Sequence, residues 1–501
     1  MSDGSLTLTI DIGTSSTRVM LWDIAGREIP AVRAQIPYAF TMTADGGVEM
    51  PVETLALHVG ECLDAALALA KDHAAQIKAV GISCFWHALL GLDKSGKPVT
   101  PIYNWADSRA GQAATQLHNR LDVRAVHSRT GCILHPSYYP AKIVWLRQSF
   151  PDVYKSVTTW ISPGEYLFRQ WFGDAASHVS LSMASGTGLL NQKSKQWDAE
   201  TLQALDLPIE TLAEIAAEQE SASGLTKEFA QRWPALKDVP FFFPYGDGAC
   251  GNIGSGCALP DKFAINVGTS GAIRAVWHEA AEDAPQMDTP FGLWRYRVDA
   301  NRPIMGAAFS DGGNVFAFWN QILKLPPTDE LETRLAALGP GFHGLTFLPF
   351  LGGERSLGWH PDARAALLGM NLGTDAVAIL HAALEAVAFR FALAAQRLKS
   401  IFPEAKQVIA SGGALAKSAY WAQTFADCLG QPLILAEEPE ASSRGAALLA
   451  MEAAGIIPDA AQVEARLGSA YEPNIVFTER YAELLAVQQD YYDRLIENRQ
   501  D

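Results

Sequence analysis

The run Ile10-Asp11-Ile12-Gly13-Thr14-Ser15 returns as Ile265-Asn266-Val267-Gly268-Thr269-Ser270, 255 positions further along a chain of 501 residues. At the same spacing Trp22 meets Trp277, so the echo extends past the glycine into the segment that follows. A period of half the chain implies two lobes of related fold, because solenoid repeats have periods of about 20 to 50 residues. The boundary falls near Ala258, giving lobes 1–257 and 258–501. Size agrees with this division: single cores rarely grow past about 250 to 300 residues, and 49% of the residues are hydrophobic.

Within the lobes, strand-like runs alternate with helical ones, the pattern of an α/β architecture with helices packed on sheets. Leu55, Val59, Leu63, Leu67 and Ala70 recur at spacings of three and four and predict a helix beginning at Val52, followed by a buried strand over Ile77 to Phe85. In the second half Thr374 is the expected N-cap of a helix carrying Leu380, Leu384, Val387, Phe391, Ala395 and Leu398 on one stripe. A strand over Gln407 to Ala410 and the turn Ser411-Gly412-Gly413 follow it. A last helix is expected from Tyr481 to Asn498.

Each repeated run is an apolar strand ending in Gly-Thr-Ser and followed by more β-like sequence, so each reads as a hairpin turn. Glycine allows close backbone approach to an anion, and the hydroxyls and amides of Gly13, Thr14 and Ser15, and of Gly268, Thr269 and Ser270, supply donors. One such turn is most simply an ordinary β-turn. Two at matched positions point to a polyphosphate grip.

The copies differ at one telling position, where Asp11 is replaced by Asn266. A carboxylate at a strand end beside a phosphate turn suits a hydrated Mg2+ ion, which an amide cannot match in charge. Asp11 is therefore the candidate metal ligand, and Arg18 a candidate phosphate partner. Asp247 lies in a run of small residues, from Gly246 to Gly256, at the expected start of a helix. It can serve as an N-cap, or as the general base that accepts a proton from an attacking hydroxyl.

Trp86-His87 and Trp105-Ala106-Asp107-Ser108-Arg109 form a third constellation. The tryptophans suit the C–H face of a sugar, while His87, Asp107 and Arg109 can bond hydroxyls or a carboxylate. Equally, His87 can be a satisfied core residue, and Arg109 can bridge to Asp107 for structure alone.

A net charge of −16 argues against sequence-independent nucleic-acid binding, which needs basic surface. No apolar run approaches the roughly 18 to 20 residues of a membrane span, and Met1 to Leu6 has neither the basic start nor the apolar middle of a secretory signal. The six cysteines are scattered without a C-x-x-C pair and read as reduced core residues. A cytoplasmic protein with a small-molecule partner is expected. Oligomeric state is not written in the sequence, and a homodimer is compatible with it.

The ordered series DIGTSSTR (Asp11 to Arg18), WADSR (Trp105 to Arg109), TGCILHP (Thr130 to Pro136), NVGTSGAIR (Asn266 to Arg274), PFLGGER (Pro349 to Arg355) and ASGGALAKSAYW (Ala410 to Trp421) resembles the FGGY carbohydrate kinases over nearly the whole chain. Within that family it looks most like the gluconate kinase branch. The resemblance implies a two-lobed, actin-like and ribonuclease H-like ATPase fold, each lobe a mixed sheet flanked by helices with a cleft between them. The N-terminal lobe would carry substrate and Mg2+, and the C-terminal lobe ATP.

The resemblance further implies that Asp247 is the catalytic base, that Asp11 lies near magnesium and that the two Gly-Thr-Ser turns flank the phosphates. Gly412 and Gly413 would border adenosine, and Trp86, His87 and Asp107 would line the sugar pocket, with Trp86 standing where many relatives carry Met. Expected function is ATP-dependent phosphorylation of a sugar or sugar acid, gluconate first and xylulose or another pentulose second. A motor-like or chaperone-like ATPase is the rival from another class.

Overall fold

In the computed structural model, which describes residues 4–173, 176–279 and 287–498, the strand Leu6–Ile12 is buried along its whole length. The first three residues of the polar N-terminal stretch lie outside the described residues. A strand with neighbours on both edges and cover on both faces must read as a near-continuous apolar run, and this one does. It pairs antiparallel with Ser16–Trp22, which pairs antiparallel with Glu28–Pro37. On its other edge it runs parallel to Ile77–Cys84, which is joined in parallel by Tyr245–Gly246.

The second sheet repeats this plan. Lys262–Val267 pairs antiparallel with Gly271–Val276, which pairs antiparallel with Pro303–Phe309, while Gln407–Ser411 and then Leu433–Ala436 extend the other edge in parallel. Each sheet has seven strands. Both Gly-Thr-Ser segments are the turns of hairpins whose strands are the central ones of their sheets. Trp22 is fully buried and donates from Nε1 to Thr9 Oγ1 at 2.9 Å. Trp277 packs on Phe402.

Helix Val52–Ala70 buries Leu55, Val59, Leu63, Ala66 and Ala70, with Leu67 half-buried at the edge of the stripe. Helix Ala376–Lys399 is capped by Asp375, whose Oδ1 accepts from Ala378 N at 2.8 Å. Thr374 is not that cap, because its hydroxyl instead accepts from Asn371 N at 3.0 Å. This helix is long and apolar enough to cross a bilayer, yet it is the buried core helix of the second lobe. The last helix starts earlier than its apolar spacing suggested, at Ile475, because Asn474 caps it by accepting from Val476 N and Phe477 N.

The chain passes from the first sheet to the second between Gly254 and Lys262. It does not stay there. Helix Ala441–Ala453 returns to the first lobe, where Ala446, Ala447, Leu448, Leu449 and Met451 join the core built on strands Leu6–Ile12 and Ile77–Cys84. Thr9 and Ser443 share a buried hydrogen bond of 2.6 Å. Arg444, 2% exposed, donates to the carbonyls of Gly26 and Gly254 and so ties three distant segments together.

Candidate active site

Asp247 opens helix Asp247–Gly254 immediately after Tyr245–Gly246, whose pairing with Ser83 and Cys84 delivers it to the end of the first sheet. The small residues that follow serve a neighbouring helix. A Cβ on Gly254 would lie 1.8 Å from the carbonyl oxygen of Ala441, and one on Gly445 would lie 1.8 Å from that of Cys250. Glycine at both positions lets the backbones touch.

Asp247 is not an N-cap in the usual sense, since Gly246 holds that position. Its Oδ1 accepts from Gly248 N at 2.8 Å. Burial pushes the carboxyl above its ordinary value of 3.8, opposed by the guanidinium of Arg274 and by backbone N–H groups. Asp11, in register with Arg18 across the hairpin, is raised by burial too; its neighbours Ser83 and Arg18 oppose this and the charge of Asp247 adds to it.

Two cavities meet at Asp247. One, of about 240 Å³, is walled by Trp86, His87, Trp105, Tyr296, Arg274 and Arg355, with Thr14 and Ser270 from the two repeated turns at its rim. The other, of about 510 Å³, is lined by Asp11, Arg18, Gly412, Gly413, Glu440 and Ser442. Asp247, Asn266 and Arg274 face both. Asp247 is the one acidic side chain among the described residues lining the smaller cavity. A still larger cavity of about 840 Å³, around Glu165 and His178, holds none of the residues singled out from the sequence.

Trp86 is gripped by glycines. A Cβ on Gly246, Gly248 or Gly186 would come within 1.8, 2.7 and 2.6 Å of its indole. Its Nε1 donates to Ser182 O at 3.0 Å, and Tyr296 from the second half packs edge-on at 5.0 Å. The indole is thus a fixed wall between the lobes.

His87, with φ of 68° at the strand end, donates from Nδ1 to Gly186 O at 2.6 Å. Burial, followed by the charge of Arg355, lowers its pKa to about 3, so the ring is neutral and offers Nε2 as an acceptor. It cannot serve as a cationic partner for a carboxylate.

Asp107 and Arg109 do not reach the smaller cavity. Arg109 bonds Asp107 at 2.6 Å and Glu49 at 2.5 Å and stacks over Trp145 at 4.8 Å. Asp107 also accepts from Val48 N at 3.0 Å. The pair anchors the loop that presents Trp105. Lys142, 1% exposed and carrying no local signal in the sequence, donates to the carbonyls of His87, Tyr103 and Asn104 and pins the same wall from behind.

Arg18 bonds Asp11 at 3.3 Å and Glu440 at 3.4 Å along the wall of the wider cavity. Gly412, at φ of 100°, lies so close to strand Lys262–Val267 that a Cβ would meet Val267 O at 2.4 Å, whereas Gly413 faces open space. In the second turn, Gly268 O and Thr269 O accept from Gly313 N and Asn314 N, at the start of helix Gly313–Ile322.

Buried Asp11 and half-buried Asp247 border one cleft with Glu438 and Glu440, and its carboxylates outnumber its arginines, Arg18 and Arg274, so the site is rich in anionic oxygen. That donor chemistry fits a divalent magnesium ion, which takes one or two carboxylates and completes its shell with phosphate oxygens and water. In the other cluster with metal-ligand residues among those described, His343, His381 and Glu385, His343 is bonded to Glu385 as a strut, while both ring nitrogens of buried His381 lack a hydrogen-bond partner. Leu345 N donates to His343 Nδ1 at 2.8 Å, so the ring proton sits on Nε2 and is donated to Glu385 at 2.9 Å.

The cavity also includes two residues not singled out by sequence, Arg274 and Arg355. Arg274 is a lone charge in the otherwise apolar strand Gly271–Val276, a signal that could have singled it out. Arg355 follows a Gly-Gly-Glu turn with no such contrast.

The profile of the FGGY family of carbohydrate kinases, N-terminal domain, matches residues 6–254, and that of its C-terminal domain matches residues 263–454. The chain is 27% identical over 479 residues to a gluconokinase of Bacillus subtilis, covering 93% of this chain and 91% of that protein. It is 26% identical over 382 residues to a xylulose kinase of Lactococcus lactis, covering 76% and 74%. Among solved structures, a gluconate kinase from Lactobacillus acidophilus superposes with a TM-score of 0.89 at 27% identity, over 98% of each chain. A xylulose kinase from the same organism gives 0.90 at 27%, over 99% of each.

Proposed function

The chain belongs to the FGGY family of carbohydrate kinases, and on that premise we propose that it transfers the γ-phosphoryl group of ATP to a hydroxyl of a small sugar acid of the gluconate class. The observation that carries the reading is the position of Asp247, which faces both the smaller cavity and the wider cleft. An acceptor in the one and a nucleotide in the other would place the reacting hydroxyl and phosphorus on either side of this carboxylate.

The smaller cavity is the acceptor site in this reading, with Trp86 and Trp105 against C–H faces and His87 Nε2 accepting from a hydroxyl. The carboxylate of Asp247 takes the hydroxyl proton as the oxygen forms its bond to phosphorus and ADP departs with the electrons of the broken bond. A pKa raised by burial above its ordinary value of 3.8 makes Asp247 a stronger base. Gly13 to Ser15 and Gly268 to Ser270 would donate to the phosphates together with Arg18, and Gly412 and Gly413 would border adenosine. Asp11 would hold Mg2+, whose charge would offset that of the phosphates.

Most of the rate in such a transfer comes from alignment and electrostatics, with alignment able to supply roughly 7 to 11 kcal/mol. Lobes 1–257 and 258–501 would close over the acceptor and exclude water, with helix Ala441–Ala453 moving as part of the first lobe. An acceptor cavity with aromatic walls is of no use to a motor-like ATPase, which has no small acceptor to hold. A cytoplasmic setting suits the six cysteines, all unpaired.

The test is ADP release from Mg-ATP with gluconate, other sugar acids, pentuloses and polyols, beside a no-acceptor control. Stimulation by a sugar acid is expected. Stimulation by pentuloses alone would move the assignment to xylulose, the second reading, which the xylulose kinase of equal structural similarity favours. Equal turnover in every well would overturn the kinase reading.

A further inference from the structure

We propose that Arg274 and Arg355 together form a carboxylate seat in the wall of the acceptor cavity, and that this seat selects a sugar acid over a neutral sugar. The inference rests on the kinase reading above and names the residues that would decide its substrate class.

Both side chains line the small cavity, against the single carboxylate of Asp247, so the cavity carries a surplus of positive charge. Among the described residues neither arginine makes an ion pair, and the Nε of each is buried without a hydrogen-bond partner. Both arginines are half-buried, and apart from Arg444, which is satisfied by backbone carbonyls, the fully buried arginines of the second half behave differently. Arg295 and Arg297 are both bonded to Glu279, Arg302 to Asp299 and Glu452, and Arg390 to Glu354. Desolvating two guanidinium groups around one carboxylate is costly, so the cavity gains from a ligand that brings a second anion.

Both groups are held in place. Arg274 rises from the central strand Gly271–Val276 and lies against Gly248 and Gly306, where added Cβ atoms would sit 3.1 Å from its Nε and Cγ. Arg355 stacks over Trp105 at 5.1 Å. A fixed planar fork matches the geometry of a carboxylate in a way that a flexible ammonium does not.

A phosphate of the nucleotide is the competing anion. Arg355 does not line the wider cleft, which places it on the acceptor side alone, whereas Arg274 faces both spaces. His87 and Arg109 cannot take the role, the first being neutral and the second consumed by Asp107 and Glu49.

The experiment measures steady-state kinetics of the full chain with gluconate at saturating Mg-ATP for Arg274→Met, Arg355→Met and the corresponding Lys variants, with thermal melts as the check on folding. Arg355→Met is expected to raise KM for gluconate by about 10- to 100-fold while kcat changes by less than about threefold, since a charged hydrogen-bonding partner is lost from ground and transition states alike. Arg274→Met is expected to raise KM comparably and to lower kcat as well, because Arg274 also stands against Asp247. Lys variants, which keep the charge without the fork, are expected to fall between, and they carry the test should a Met variant fail to fold. An unchanged KM overturns the seat. A fall in kcat with KM unchanged also overturns it, assigning the arginine to phosphoryl transfer instead. If the wild-type chain phosphorylates no sugar acid at all, it is the substrate reading of the preceding section that fails.

Discussion

Gly445 and Cys250 touch backbone to backbone, the glycine so close that a Cβ there would sit 1.8 Å from the cysteine carbonyl oxygen. The contact joins the helix that returns from the second half of the chain to the helix that begins with Asp247. The position of the proposed base is therefore set by a segment nearly 200 residues away in sequence.

Gly445→Ala tests this seam. In an exposed helix interior the change would stabilise by about 0.8 to 1 kcal/mol through helix propensity. Here the methyl group must push two helices apart, and overpacking typically costs about 1 to 3 kcal/mol, so the net sign is expected to reverse. A lower melting temperature together with a lower kcat is the expected result. A variant that melts higher than wild type with unaltered kcat would show that the seam yields without cost.

The repeat made the two-lobed plan legible because each hairpin strand is central to its sheet, where burial on both faces forces apolar runs around one invariant turn. Asp247 stood out as the lone acid among small residues. The partner of those small residues did not, because helix Ala441–Ala453 carries no local mark of which sheet it covers, and its contact with Gly254 and Cys250 is a property of the tertiary fold. Arg109 shows the opposite limit. An Arg two positions after an Asp reads the same whether the pair faces a ligand or itself, and Glu49, which settles the matter, lies 60 residues away.

Arg109→Ala is accordingly expected to act through stability. Asp107 is 3% exposed and would be left as a buried carboxylate without its partner, and breaking such a pair commonly costs about 3 to 5 kcal/mol. The melting temperature should fall clearly, and the loss of activity should follow the loosened loop of Trp105, affecting every acceptor alike. A change in KM for sugar acids alone, without a change in melting, would return Arg109 to the acceptor site.

Asp247 links catalysis to pH and to stability with opposite signs. Its carboxyl is raised above 3.8 by burial, so the acid limb of kcat/KM is expected to lie above that ordinary value. A carboxyl raised in the fold favours folding only while protonated, and that advantage disappears as pH rises through the folded value. At neutral pH the ionised group costs stability, which Asp247→Asn removes while keeping an oxygen for Gly248 N. The variant should lose about 100-fold or more in kcat and yet melt higher than wild type at neutral pH, with the difference shrinking as pH falls. Equal melting temperatures at every pH would contradict the assigned burial effect.

Asp11→Asn gives the first turn the amide that the second turn already carries at Asn266, whose Nδ2 donates to Ser411 Oγ at 3.0 Å. The substitution keeps the size and polarity of the side chain and removes the charge that a divalent ion requires, and it also releases Arg18 from its 3.3 Å contact. Because metal sites weaken by about 10- to 100-fold even when only supporting groups are changed, loss of the carboxylate should raise the Mg2+ concentration for half-maximal activity by at least about 10-fold. Mg2+-dependent thermal stabilisation of the ADP-bound protein provides the reading that does not depend on turnover, and it should weaken in parallel. Gluconate-induced stabilisation without nucleotide should persist, since the acceptor cavity does not include Asp11. A variant whose Mg2+ dependence matches wild type in both assays would remove Asp11 from the metal site and leave it as the structural partner of Arg18.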